Sequence, residues 1–285
     1  MAKTIGNPIT WMARNAASTS DHISESVGNV GSAETQEMPQ VRKLTQNDLR
    51  AAFRAGYEDF LATRADVVVI VAIYPFIGLV LVGLGLRMDM IPLLAPLVMG
   101  FALMGPVAGI GFYEVSRRRE KGLAVNWLDA LSVFRSPSFG AILALSLYLA
   151  LLYIVWLMTA QSIYAATLGP EPPASLLAFA GDVVGTPLGW TMVIIGSAVG
   201  FLFALLALSI SVVSFPLLLD RKVGVPVAVV TSVRVMRKNP GVTLTWGALV
   251  AGLLVVASIP ILLGLIVVLP VLGHATWHLY RRAVE

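Results

Sequence analysis

Long runs of apolar residues constrain this chain more than any other feature. They come in blocks of about 20 residues rather than in alternation, and that is the length a helix needs to span about 30 Å of hydrocarbon. Only 13% of the 285 residues are charged, against roughly 25% in an ordinary soluble domain. A soluble protein with so few charges would expose more apolar surface than solubility allows. The sequence therefore predicts an all-α membrane protein.

Turns and charged segments divide the apolar blocks into about six predicted transmembrane helices. These spans are residues 67–86, 91–112, 139–159, 190–219, 242–258 and 261–280. The last two come from one block, Val242 to Leu272, which is too long for a single span and holds Pro260 near its middle. A single kinked helix is the alternative, because proline is tolerated within spans.

The positions of lysine and arginine favour six spans over five. With six spans, Arg87 is the only one of the 20 Lys and Arg residues on the outer side, whereas five spans would also place Arg281 and Arg282 there. Positive charge is concentrated in cytoplasmic loops, so both chain ends are expected in the cytoplasm. The net charge of +4 is then explained by topology. The basic loops are expected to bind anionic lipid headgroups and not nucleic acid.

The chain changes in character near residue 45. Residues 1–44 contain few large apolar residues and no apolar core of a cleavable signal peptide, which predicts a disordered cytoplasmic tail. Residues 45–285 form the predicted helical transmembrane domain, and Thr45 with Asp48 gives a helix-start signal. Large apolar residues then recur at helical spacing: Leu49, Phe53, Tyr57, Phe60 and Leu61. This amphipathic helix either lies at the membrane surface or packs on another protein segment.

An internal repeat is predicted from the order of these segments. Three times, a polar or amphipathic lead-in precedes two spans that end in a basic cluster. The lead-ins are residues 49–66, 127–138 and 225–240, and the closing clusters are residues 116–121, 220–222 and 280–282. Three helix-hairpin units inserted in the same direction are therefore predicted. Coincidence is the alternative, since any hairpin that returns to the cytoplasm ends in positive charge.

His274 and His278 are the best candidates for binding chemistry. Their spacing of four places both imidazoles on one helix face, where they would jointly ligate a metal or haem iron. The alternative is that these histidines, with Trp277 and Tyr280, mark the membrane interface at the end of a span. The remaining histidine, His22, lies in the predicted tail, so one chain does not supply a complete histidine site.

Other motifs for catalysis or transport are missing from the sequence. No Asp, Glu, Lys or Arg falls near the centre of a predicted span, and there is no cysteine, phosphate-binding loop, zinc helix or nucleophile elbow. No catalytic residue is predicted. Small residues four apart, in 105–109 and 196–200, permit close helix packing within the bundle or in a homodimer.

Four short strings carry a resemblance to a known family: residues 49–60, Tyr74-Pro75, Gly105-Pro106 and residues 273–281. With them, the chain from about Val41 to Glu285 resembles the predicted bacterial integral membrane proteins grouped as domain-of-unknown-function family 2189. The resemblance implies a protein of the bacterial inner membrane. Some relatives carry a cytochrome-oxidase-like label, but this sequence lacks the several intramembrane histidines that a haem–copper core requires.

These features favour a non-enzymatic accessory or assembly partner of a larger membrane complex. Two alternatives stay open. One is a channel or carrier for a small molecule, enclosed by proline-kinked spans. The other is haem or metal binding through His274 and His278. The partner is either another membrane protein or a second copy of the chain.

Overall fold

A computed structural model describes residues 38–71, 73–86 and 90–285. Residues 1–37, which form most of the predicted tail, lie outside the described residues, as do residues 72 and 87–89. The described chain is helical and has no strand, which confirms the all-α class. In chain order the helices are α1 (Gln46–Val71), α2 (Ile73–Gly85), α3 (Leu94–Phe101), α4 (Gly105–Ala108), α5 (Ile110–Glu120), α6 (Phe139–Thr167), α7 (Leu176–Gly185), α8 (Pro187–Ser211), α9 (Ser214–Asp220), α10 (Val225–Lys238), α11 (Pro240–Ser258) and α12 (Leu265–Ala283).

Four described stretches are long and apolar enough to cross a membrane. They are Ile91–Glu120, Phe139–Thr167, Pro187–Asp220 and Pro240–Ser258, and they overlap the second to fifth predicted spans. Helix α2, within the first predicted span, has only 13 residues, and α12, which covers most of the sixth, ends in polar and basic residues. The count of six spans therefore stays a prediction.

The second predicted span is not one regular helix. Its residues form α3, a 3-10 turn at Ala102–Met104, α4 and the start of α5. Proline fixes its own φ and has no N–H to donate, so it is favoured where a helix begins and disfavoured within one. Pro106 accordingly lies in the first turn of α4.

The predicted division of the last apolar block near Pro260 is also present. Helix α11 ends at Ser258 and α12 begins at Leu265. In the intervening turn Ile261 and Leu262 have φ angles of +51° and +65°, a left-handed conformation that does not continue a right-handed helix.

Helices α11 and α12 run antiparallel after this turn. Asn239, just before α11, donates a side-chain hydrogen bond to the Arg42 carbonyl oxygen at 3.0 Å. The Arg42 N–H in turn donates to the carbonyl oxygen of Ala283, at the end of α12, at 2.9 Å. The start of α11 and the end of α12 therefore meet at the same extended segment, residues 38–44, which precedes α1. Within this segment, Val41 forms an antiparallel β-bridge with Val284.

Helix α1 packs along α12 through a face of small and polar residues. That face consists of Leu49, Ala52, Gly56, Asp59 and Thr63, all of which are buried. A Cβ on Gly56 would lie 2.6 Å from the Cα of Ala275, so only glycine allows the two backbones to approach this closely. This amphipathic helix was predicted either to lie at the membrane surface or to pack on another protein segment. Its buried face packs on another segment, α12, while Tyr57 and Leu61 on other faces are exposed. The helix-start signal is confirmed, because the Thr45 N–H donates to the Asp48 carboxylate at 2.8 Å.

The three predicted lead-ins each pack against a predicted closing cluster. Helix α1 contacts α12, the 3-10 segment Trp127–Arg135 contacts α5, and α10 contacts α9. The main buried core lies beneath these contacts and includes Leu145, Phe215 and Trp277. The repeat itself stays a prediction, since these contacts show only that the six segments meet at one end of the bundle.

Candidate functional site

A buried hydrogen-bonded cluster joins three helices at this end of the bundle. We call it the polar clasp: Asp59 on α1, Ser116 and Arg119 on α5, and His274 and His278 on α12. Asp59 lies at its centre. Its carboxylate accepts from the Ser116 hydroxyl at 2.6 Å and from Arg119 Nε at 2.8 Å. His278 Nε2 lies 2.9 Å from Oδ2 of the same carboxylate.

His274 extends the polar clasp into the core. Its Nδ1 lies 2.8 Å from the Ser116 hydroxyl oxygen, and its ring packs edge-on against Phe112 with the ring centroids 5.6 Å apart. The side chain is fully buried. Ser116 is therefore shared between the Asp59 carboxylate and the His274 imidazole.

The surroundings of Asp59 favour its ionised form. Burial raises the pKa of the Asp59 carboxyl, but the hydrogen bonds from His278, Ser116 and Arg119 together outweigh burial and lower the pKa to about 2. Asp59 is therefore a carboxylate at neutral pH. Its charge is balanced by Arg119, so the clasp acts as an ion pair supported by hydrogen bonds.

A second acidic group holds the 3-10 segment on α5. Glu114 is 2% exposed and accepts from Arg117 Nε at 2.7 Å and from Arg118 Nε at 2.8 Å. Arg118 also donates to Asp129, in the 3-10 segment Trp127–Arg135, at 2.6 Å. Arg117 and Arg118, which belong to a basic cluster predicted to be cytoplasmic, thus also bind a buried carboxylate.

The three predicted closing clusters meet around Arg281 at the end of α12. Arg281 pairs with Glu120 at 2.9 Å and with Asp220 at 3.4 Å. Two neighbouring aromatic residues use the same carboxylates, because Trp277 Nε1 donates to Glu120 and the Tyr280 hydroxyl donates to Asp220. Both aromatic side chains are buried within the protein.

The predicted ligand pair, His274 and His278, lies on one side of α12 as the spacing indicates. Each imidazole has one nitrogen within hydrogen-bonding distance of a clasp residue, Ser116 for His274 and Asp59 for His278. In the described part of the chain, no group of three or more His, Cys, Asp or Glu residues is arranged to hold a metal ion. Ligation of a metal or haem by these two residues stays a prediction.

A cavity of about 40 Å³ lies between α2, α3, α11 and α12, lined by apolar residues such as Val98 and Leu254 together with Ser258. A water molecule occupies about 30 Å³ in the liquid, so this space is of the size of one water.

Asp59, Ser116 and Arg119 were not among the residues predicted for a site. The signal for Asp59 is present in the sequence, because Ala52, Gly56, Asp59 and Thr63 recur at helical spacing among small residues. The partners Ser116 and Arg119 carry no comparable pattern, since they lie nearly 60 residues away and only the fold brings them to Asp59.

Comparison with known proteins supports a membrane location. Residues 93–220 match the family described as predicted integral membrane protein (DUF2189). The resemblance inferred from the sequence is therefore confirmed over this range, which includes Gly105-Pro106 but not the other three strings. No match to the chain is found among curated proteins or among solved structures.

Proposed function

We infer that this integral membrane protein, which matches the DUF2189 family over residues 93–220, is a non-enzymatic accessory or assembly partner of a larger complex in the bacterial inner membrane. The observation that carries this proposal is the internal use of the buried charged groups. Each of three acidic groups accepts a side-chain hydrogen bond from another helix or segment of the same chain: Asp59 from Arg119, Glu114 from Ser132 and Asp220 from Tyr280. Groups that hold helix ends together in this way build a scaffold, whereas catalysis needs a group that reaches a substrate.

An exposed apolar flank on α8 supports a partner within the membrane. Ile194, Phe201 and Leu202 are each more than 60% exposed in this candidate span. Ser197 is also exposed and lies between them on the helix. Small residues on such a face let a second helix approach closely. Gly200, by contrast, packs on Trp156 of α6 and serves the internal packing of the bundle.

A channel or carrier is less well supported. A transport path for a small molecule needs a cavity that the molecule can enter, and the cavity near Val98 and Leu254 is about 40 Å³ and mostly apolar. Flux through reconstituted protein would be the observation that favours this alternative.

The proposed topology has six spans with both chain ends in the cytoplasm. Two contacts between the segment before α1 and the C-terminus support it: the Arg42 N–H donates to the Ala283 carbonyl oxygen, and the Glu285 N–H donates to the Gln40 carbonyl oxygen, both at 2.9 Å. Segments that are hydrogen-bonded to each other lie on one side of a membrane. The basic residues that gather around Arg281 favour the cytoplasmic side.

Purification from native membranes in mild detergent tests the assembly role. We expect the chain to bring down a different membrane protein in constant stoichiometry. Ser197→Trp should abolish this association, because a large side chain would fill the exposed small position on α8. Leu151→Trp is the matched control, since Leu151 is equally lipid-facing on α6 (57% exposed). A monomer or a pure homo-oligomer from native membranes would contradict the proposal.

A further inference from the structure

An open groove lies where the segment before α1 passes α10. It has a volume of about 630 Å³, and its lining consists of Met38, Pro39, Gln40, Val41, Arg234, Arg237 and Lys238. One wall is therefore an extended backbone with three apolar side chains, and the other is the last turn and a half of a helix. The lining contains three cations and no carboxylate.

The two arginines of the groove are available to a ligand. Arg234 and Arg237 are exposed and three residues apart on α10, so their side chains project from the same face. Neither forms an ion pair with any residue that the structure describes. Lys238 donates to the Val41 carbonyl oxygen at 2.6 Å, which fixes its position but leaves its charge uncompensated. The carboxylate of Glu285 pairs with Arg42.

The position of the groove relative to the spans indicates a lipid. Helix α10 ends at Lys238, and the candidate span Pro240–Ser258 begins two residues later, so the arginines lie at the level of the headgroups. Leu244, one turn into that span, is 41% exposed and would contact an acyl chain. A ligand with a phosphate beside apolar chains matches this arrangement of charge and apolar surface.

We propose that this groove binds the phosphate of an anionic phospholipid, with Arg234 and Arg237 as its ligands. The planar guanidinium group forms paired hydrogen bonds to phosphate oxygens, which an ammonium group does not. Basic residues at the cytoplasmic surface attract anionic headgroups, and the attraction is strongest next to the bilayer. This site goes beyond the assembly role and does not depend on it.

Native mass spectrometry of the full chain in neutral detergent tests the site. Phosphatidylglycerol and phosphatidylcholine are titrated separately, and the dissociation constant of the first bound lipid is measured. We expect phosphatidylglycerol to bind at least about tenfold more tightly than phosphatidylcholine, and Arg234→Gln with Arg237→Gln to remove that preference. The matched control is Arg50→Gln with Arg135→Gln, which removes the same charge from exposed positions outside the groove. The control should keep the preference.

Four results would overturn the proposal. Equal binding of the two lipids would show that no anionic site exists, and equal losses in the two double variants would show that net charge alone is responsible. The third concerns the acidic residues of the N-terminal segment, Asp21, Glu25, Glu34 and Glu37, which also complement the groove in charge. Neutralising these four residues could raise the affinity for phosphatidylglycerol several-fold when Arg234 and Arg237 are present and not in the double variant. In that case the N-terminal segment, and not the lipid, would be the main occupant of the groove.

Competition with free glycerol phosphate distinguishes a site for the headgroup alone from a site for the whole lipid. Displacement of the lipid by an equal concentration of glycerol phosphate would likewise contradict a lipid site.

Discussion

Asp59 shows how a charged residue next to a membrane is stabilised by its neighbours. A carboxylate removed from water is costly unless it is paired and hydrogen-bonded. Asp59 is 8% exposed, and it meets both conditions through Arg119, Ser116 and His278, each on a different helix from its own. The same carboxylate therefore links α1 to α5 and to α12.

Replacement of Asp59 by asparagine should destabilise the fold. The change removes the negative charge that pairs with Arg119. It also replaces one of the two acceptor oxygens with an amide NH2 group, so the donors that now use both oxygens must share one. We expect a loss of about 2 kcal/mol in the free energy of unfolding, below the 3–5 kcal/mol typical of a fully buried pair because Arg119 is 35% exposed. The unfolding midpoint in detergent measures it. Glu58→Gln is the neighbouring control: Glu58 pairs with Arg54 at the surface, and its loss should be close to zero. Equal effects of the two changes would show that the clasp contributes nothing specific.

At the level of single residues, two of the five residues of the polar clasp were predicted from the sequence. The spacing of His274 and His278 correctly predicted that both lie on one side of a helix. It did not reveal what they face, because Asp59 and Ser116 come from segments more than 150 residues away. Periodicity reports which residues share a face of one helix, and the partner of that face is decided by the tertiary packing.

At the level of elements, hydropathy predicted where the long helices lie, but it did not predict where they end or where short helices occur. The third span was predicted to begin at residue 139, as α6 does, but α6 continues to Thr167 instead of ending near residue 159. No secondary structure was predicted for the connection after it, which contains α7, a helix whose N-terminus is capped by Ser175. Such short helices have too few apolar residues for a spanning signal, so the search for blocks of about 20 residues passes over them.

The packing of α1 on α12 depends on Gly56, and this can be tested with a pair of glycine substitutions. Gly56→Ala would place a Cβ 2.6 Å from the Cα of Ala275, so the helices would have to separate. We expect a loss of about 1–3 kcal/mol in unfolding free energy. Gly83→Ala on α2 meets no atom within 4 Å and should be neutral or slightly stabilising, because alanine favours a helix. If both variants unfold at the same midpoint, the close approach of α1 and α12 is not required.

At the level of the whole molecule, the contacts between the chain ends restrict the topology. Residues 38–44 lie against Asn239 and Ala283, so the start of the bundle, the start of α11 and the end of α12 share one side. The connection 168–186 carries no lysine or arginine and lies between α6 and α8, which are both candidate spans. An even number of spans with that connection outside satisfies both the contacts and the charge distribution.

Cysteine labelling in intact cells tests this topology, and the native chain has no cysteine that would interfere. Ala174→Cys, at an exposed position in the outer connection, should react with a membrane-impermeant maleimide. Ser32→Cys and Glu285→Cys should react only after the cells are permeabilised. Their labelling in permeabilised cells is the control that shows both thiols to be accessible to the reagent. Glu285 is preferable to the buried Ala283 as a probe, because a buried thiol would stay unlabelled on either side. The hydrogen bonds of Gln40 and Arg42 with the C-terminus place the segment before α1 beside Glu285, and we expect Ser32→Cys and Glu285→Cys to react alike. Labelling of Glu285→Cys alone from outside would mean that α11 and α12 do not both cross the membrane, and that the two ends are not joined as described.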